Sequence, residues 1–262
     1  MAELLTERRV WSALTGLDAG VFGKNVVFRR QVGSTNDIAR QLAEEHAPEG
    51  TIVIAEEQTA GRGRMGRTWE SPPGVSLMQS ILFRPNIETG LANRLVMAVG
   101  LAAAEACEAV ADVRIDVKWP NDLQIGGMKV AGILPESALV GDRLAWVVVG
   151  IGINVNQEFA ADHPLAGTAT SLRMAAGREI DRLALLRETL VRLAVWYGRI
   201  GDDALHGAWA ARCVTLGRRV RVQVGDRVIE GLAEGLDPAG ALWVQGDEGQ
   251  RRRVSAGEAT IV

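Results

Sequence analysis

From Gly61 to Trp69 the chain reads Gly-Arg-Gly-Arg-Met-Gly-Arg-Thr-Trp, with three glycines and three arginines between positions 61 and 67. Arginine carries a permanent charge on a planar fork of donors that matches phosphate and carboxylate. Glycine lets the backbone bend freely and come close to a bound molecule. The combination predicts a mobile loop that closes over a small anion. Nucleic-acid-binding tails repeat such segments many times, whereas this one occurs once. Its plainer interpretation is a solvated basic loop.

Four further segments carry polar groups at chemically useful places. In Lys118-Trp119-Pro120-Asn121-Asp122 a proline ends a strand, removes a donor and turns the chain out of the sheet, presenting Asn121 and Asp122. An ordinary Asn-Asp turn has the same composition. Lys129 opens the apolar stretch 130–134, where its charge can neutralise a carboxylate or phosphate, or simply snorkel from an edge. The apolar run from Val147 is interrupted by Gly150 and Gly152 and closes on Asn154 and Asn156. Those glycines admit close approach by a planar ring. With no third glycine and no following helix, the run is not a dinucleotide fingerprint, and a P-loop is absent from the sequence. Ser34-Thr35-Asn36 offers donors and acceptors at a helix start, and Gln58 can donate and accept at once.

Positioning these groups requires a framework, and the hydrophobic pattern supplies one. Residues 1–25 form a short leader with helical character, and Val26-Val27-Phe28 is a candidate strand. Ser34 is a good N-cap, Asp37 puts a carboxylate in the first turn, and Ile38, Ala39, Leu42 and Ala43 give that helix one apolar face. Strands are expected over 51–55, 76–83, 114–119, 129–134 and 145–153, and helices over 91–110, 182–200 and 203–212. The order does not repeat a strand-helix-strand unit, so the expected class is α+β with a mixed sheet. From about Cys213 the chain changes to short alternating strands (220–224, 228–233, 241–244, 252–254) separated by turn signals, the pattern of a small β-barrel or sandwich.

The 262 residues, 47% hydrophobic and 23% charged, have an ordinary globular composition and room for a large domain plus a small one. A net charge of −3 argues against a general nucleic-acid binder. The two cysteines, Cys107 and Cys213, lie far apart, no metal-ligand spacing occurs, and the start of the chain is too charged for a signal peptide. These features predict a cytoplasmic protein with no metal site and no membrane segment.

Taken in order, the segments resemble the biotin protein ligases. The resemblance rests on Ser34-Thr35-Asn36, on Glu57-Gln58-Thr59-Ala60-Gly61-Arg62-Gly63-Arg64 with Gly66-Arg67 and Trp69, on Lys118-Trp119-Pro120-Asn121-Asp122-Leu123, on Lys129-Val130-Ala131-Gly132-Ile133-Leu134 and on Gly150-Ile151-Gly152-Ile153-Asn154. It covers residues 26–156 strongly and continues to Gly231, Gly240 and Gly257-Glu258. It implies a mixed-sheet catalytic domain of the class II synthetase kind over 1–212, then an SH3-like barrel over 213–262. It also implies activation of biotin by ATP, with Mg²⁺ accompanying the nucleotide, to biotinyl-5′-adenylate, then transfer to one lysine of a biotin carboxyl carrier protein.

By the same resemblance Arg64, Lys129 and Asp122 are the catalytic set, with Asp122 receiving the acceptor lysine. Ser34, Thr35, Asn36, Gln58, Gly61, Arg62, Gly63, Arg64, Lys129 and Gly132 would hold biotin. Arg62, Arg64, Arg67, Trp69, Asn121, Lys129, Gly152 and Asn154 would hold ATP and the adenylate, with Trp69 as a lid on the adenine side. All of these fall between Ser34 and Asn154, so the expected pocket needs nothing from the C-terminal module. Arg251-Arg252-Arg253 and Glu258 could pack on the catalytic domain or meet an acidic carrier.

The sequence departs from its relatives at Met65, basic in some of them, and at Pro135, often β-branched. Bifunctional relatives carry a DNA-binding domain first. The 25 residues before Val26 are too few for one, so a ligase that does not bind DNA is expected. Relatives occur as monomers and dimers through sheet edges, which leaves a homodimer open. Lipoate ligases share the catalytic fold, but their signature is absent here. A reading outside catalysis, a biotin sensor or inactive adenylate binder, conflicts with the intact Arg64, Lys129 and Asp122.

Overall fold

The computed structural model describes residues 3–262. Helix α1 (Glu7–Leu14) turns Val10 and Leu14 inward and leads into β1 (Val26–Val32). The larger sheet then gathers β2 (Ile52–Gln58), β3 (Ser76–Phe83), β4 (Asp116–Lys118), β5 (Asp122–Ile125), β6 (Met128–Val140) and β7 (Arg143–Asn154). Its order is β1-β2-β3-β7-β6-β5-β4. Only β1 and β2 run parallel and every other neighbouring pair is antiparallel, so the sheet is mixed, as its element order predicts.

Alternation decides what each face meets. On β7, Val147, Val149, Ile151 and Ile153 face the main core, with α3 (Asn93–Ala111) and α5 (Arg182–Tyr197). Trp146 and Val148 face the opposite side, with Ala39 and Ala43 of α2 (Thr35–Glu44). Beyond Val148 this second face carries Gly150 and Gly152 and is open to the site. Helix α3 is rich in small residues because it lies in close contact on several sides. At Gly100, a Cβ would stand 2.5 Å from the Trp209 ring of α6 (Asp203–Arg212), so only glycine fits.

The second sheet contains β8 (Arg219–Val224), β9 (Arg227–Leu236), β10 (Leu242–Gln245), β11 (Arg251–Val254) and β12 (Glu258–Ile261), all antiparallel, in the order β11-β10-β9-β8-β12. The expected barrel is thus a five-stranded sheet whose end strands are not hydrogen-bonded to each other. Its core of Val220, Val222, Ala233, Leu242 and Val244 includes Trp119, inserted from the β4–β5 turn of the larger sheet.

Several elements escape the periodicity argument. Strands β5 and β12 are only four residues long, and α4 (Leu172–Ala176) only five, too short to show a period. Strands β6 and β7 extend past their expected limits into a hairpin whose tip exposes Leu139 and Val140. Ser34 occupies the N-cap of α2, but its side chain makes no capping bond. No helix among the described residues is long and apolar enough to cross a membrane.

Candidate active site

A cavity of about 580 Å³ opens where the second face of the larger sheet runs out from under α2. That volume suits a small-molecule ligand. Three groups of side chains surround it.

The first group is polar and buried. Ser34, Thr35 and Asn36 begin α2 and are each less than 5% exposed. Gln58 ends β2, and its amide oxygen accepts from the Thr35 N–H at 2.7 Å and from the Thr35 hydroxyl at 3.0 Å. Ser80, which the sequence reading missed, sits on β3 with its hydroxyl 2.7 Å from Thr35 Oγ1 and donates to Asn36 Oδ1 at 2.6 Å. Ser80 is one of three polar residues, with Ser76 and Gln79, in a strand buried at every position, and it stands in register with Gly150. A Cβ on Gly150 would run into Asn36 Oδ1, so glycine is required for α2 to lie this close.

The second group is the Gly-Arg loop, which forms a narrow hairpin. Arg62 bridges Thr68, Trp69 N–H donates to Gly61 O at 2.9 Å, and Met65 and Gly66 take positive φ at the tip. Its arginines diverge. Arg62 forks onto Asp37 at 2.8 and 2.9 Å and reaches Glu136 at 3.0 Å, so here it fastens the loop to α2 and β6 at the edge of the cavity. The hydrogen bond from Arg62 holds the Asp37 carboxyl below the usual carboxylate range, against the opposing effect of burial. Arg64 points inward and donates to Asn121 Oδ1 at 3.1 Å. Burial lowers the Arg64 guanidinium from its ordinary value, Asp122 and Glu258 oppose that, and Arg67 adds to it. Desolvated charge of this kind answers strongly to an incoming anion. Arg67 pairs with Glu258 at 2.5 Å.

The third group lies on β5 and β6. Lys129 Nζ is 2.7 Å from Asp122 Oδ1, so the two expected catalytic residues form an ion pair with each other. Gly132 is tightly packed: a Cβ there would be 3.1 Å from Lys129 Nζ and 3.3 Å from the Trp69 ring, so either would have to yield slightly. Trp69 lies against Gly152, where a Cβ would meet the indole at 2.5 Å, and Lys129 Nζ is 5.9 Å from its ring centroid. The indole N–H is buried without a hydrogen-bond partner. A ring over strand glycines, a polar N–H in reserve and two cations nearby make a cradle that fits a planar ligand bearing a phosphate.

Two expected site residues do not reach the cavity. Gly61 packs behind it, against Trp69 O and Gln58. Asn154 is buried at the end of β7, where its amide donates to Thr170 O and holds the segment beside Lys129. That segment supplies residues the sequence reading overlooked: Leu165, Gly167, Thr168 and Ala169 line the cavity, and Thr168 O accepts from Lys129 N–H. The expectation of a pocket without the C-terminal module also needs correction, because Gly257, Glu258 and Ala259 line the cavity. Chain order hid this, since β12 returns to pair with β8 beside the hairpin. Arg251 and Arg253, in contrast, pair with Glu234 and Asp237 inside the module.

Comparisons with known proteins identify the family and the fold. Residues 27–154 match the biotin/lipoate A/B protein ligase family, and residues 215–261 match the biotin protein ligase C-terminal domain. A biotin–[acetyl-CoA-carboxylase] ligase of Mycobacterium tuberculosis is 36% identical over 97% of this chain and 94% of its own. A bifunctional ligase/repressor of Bacillus subtilis is 36% identical over 92% of this chain and 75% of its own. Among solved structures, the biotin protein ligase of Aquifex aeolicus in complex with biotin and ATP has a TM-score of 0.76 and 31% identity, covering 91% of this chain and 99% of the other. The Leishmania major enzyme in complex with biotinyl-5-AMP has a TM-score of 0.63 and 25% identity, covering 89% and 99%.

Proposed function

Because the chain belongs to the biotin protein ligase family, we propose that its cavity joins the biotin carboxylate to the α-phosphate of ATP and hands biotin to a lysine on the carrier domain of a carboxylase. The protein is a biotin–[biotin carboxyl-carrier protein] ligase. The observation that carries the residue-level reading is the convergence of Arg64, the Lys129–Asp122 pair and Thr35, Asn36 and Gln58, backed by Ser80, on one cavity.

Each group matches one demand of the chemistry. The biotin ureido ring offers two N–H donors and a carbonyl, and the buried amides and hydroxyls at the start of α2 provide the complementary mixed set. Attack of a carboxylate on a phosphate brings two anions together. Lys129 and Arg64, held beside the cavity by Asp122 and Asn121, supply positive charge that an incoming anion can take over. When an anion takes over Lys129, Asp122 is freed to orient the ammonium of the incoming lysine. Closing Trp69 and the hairpin over the product shields a mixed anhydride from water. Mg²⁺ enters this reading as the companion of the ATP phosphates. We place the reaction in the cytoplasm, a reducing compartment that suits the two free cysteines.

The direct test is pyrophosphate release from ATP, with biotin or lipoate as the acid, followed by label transfer to a carrier domain. Release with biotin and not with lipoate is expected. Release driven by lipoate alone would reassign the site.

A further inference from the structure

Trp119 lies between two reactive side chains and a sheet that contains neither. Its ring is 2% exposed and belongs to the core of the second sheet, against residues such as Val222 and Leu242. Its two N–H groups are both taken. The backbone N–H donates to Thr215 Oγ1 at 3.0 Å, and the indole N–H donates to Gly240 O at 2.9 Å. Thr215 is itself fully buried. A large ring with both donors engaged and apolar neighbours around it has one position available.

The chain has little slack between that anchor and the chemistry. Pro120, with its fixed φ, follows immediately. Asn121 comes next, its amide nitrogen donating to Ile133 O, which points its oxygen at Arg64 Nη1. Asp122 then pairs with Lys129. The polar cluster at the start of α2 has no hydrogen bond to any of these residues.

We propose that Trp119 is a positioning residue through which the C-terminal sheet sets the placement of Asn121 and Asp122 and, by way of Asn121, of the lid arginine Arg64. This deepens the ligase reading and rests on it. It separates two effects that a loss of the module would otherwise merge. Recognition of the biotin ureido ring, built at α2, is independent of the anchor. Retention of the adenylate by Arg64 and delivery of the acceptor lysine to Asp122 both depend on it.

The test uses the full-length chain with Trp119→Phe, which keeps the plug and loses the indole donor, and Trp119→Ala. Val222→Ala is the control, because it loosens the same core and leaves both Trp119 hydrogen bonds in place. Three quantities are read well below the melting temperature and corrected for active fraction: biotin Kd, dissociation of biotinyl-5′-adenylate, and single-turnover transfer to a carrier domain. We expect Trp119→Phe to accelerate adenylate loss and slow transfer, each by about tenfold, the scale of a small misplacement, with biotin Kd within about twofold. Val222→Ala should lower the melting temperature and leave both rates within about twofold. Equal rate losses in Trp119→Phe and Val222→Ala would reduce Trp119 to a stability element. A folded Trp119→Ala with parental retention and transfer would overturn the proposal outright. Absence of biotin-dependent activity in the parent chain would instead remove the ligase reading on which it stands.

Discussion

At the scale of single residues the site is held by mutual ion pairs that substrates must displace. Lys129 and Asp122 neutralise each other at 2.7 Å, so each is fixed before either acts. Replacing Lys129 with Ala removes a preoriented cation and leaves Asp122 facing the incoming anions. Pyrophosphate release should fall by about 10²–10³-fold, as for loss of a fixed electrostatic group, with far-UV circular dichroism unchanged. Near-normal release would take Lys129 out of the adenylation step. Arg62 and Asp37 make a similar pair at the loop hinge. The folded pKa of Asp37 is depressed below the ordinary 3.8, first by the Arg62 hydrogen bond. Its contribution is therefore fully present above the unfolded value and is lost as pH falls through the lower, folded one. Below about pH 4 the hairpin should loosen in the parent chain, while Asp37→Asn is looser already at neutral pH and changes less on acidification. Protease susceptibility of the loop against pH measures this, and identical profiles would refute it.

Among the elements, the hairpin of residues 61–69 is the one that must move. It makes a few internal backbone bonds and is otherwise held by the side chains of Arg62, Arg64 and Arg67 and by Trp69 packed on Gly152. We expect its amides to exchange rapidly in the free enzyme and to gain protection with biotin and ATP together, while those of β3 and β7 stay slow throughout. Equally slow exchange of the hairpin in both states would contradict this. Much of the element layout was readable in the chain. Long helices such as α5 declare themselves by period and buried strands such as β3 by a short apolar run, and the Gly-Arg, Lys-Trp-Pro-Asn-Asp and Gly-Ile-Gly-Ile-Asn segments each fall at the end or turn of a strand. What escaped was long-range pairing. That Trp119 fills another sheet's core, that Arg67 meets Glu258, and that residues 165–169 lie beside Lys129 depend on contacts between distant segments. Local periodicity holds no record of them.

At the scale of the whole molecule, polar contacts at three places tie the catalytic core to the second sheet. Arg94 of α3, 4% exposed, donates to Ile200 O at 2.8 Å and to Pro238 O at 3.0 Å, joining the catalytic core to the β9–β10 turn. Trp119 makes the second connection and the Arg67–Glu258 pair, on the surface, a third. We therefore expect one calorimetric unfolding transition for the full chain. Arg94→Ala removes the donor from two part-buried carbonyls, empties a buried side-chain site and should cost about 1–3 kcal/mol of that transition's stability. Two well-separated transitions in the parent chain would show that the sheets melt independently.

The alternation along β7 has a consequence for how this sequence can drift. Val147, Val149, Ile151 and Ile153 sit in a core where one branched aliphatic side chain can replace another at modest cost. Gly150 and Gly152, interleaved with them, stand against Asn36 and Trp69, where the smallest addition already collides. A saturation library over residues 147–153 would therefore survive with a two-residue rhythm, conservative exchange at the odd positions and no exchange at Gly150 and Gly152. Along this strand heritable variation is confined to the side that packs into the main core.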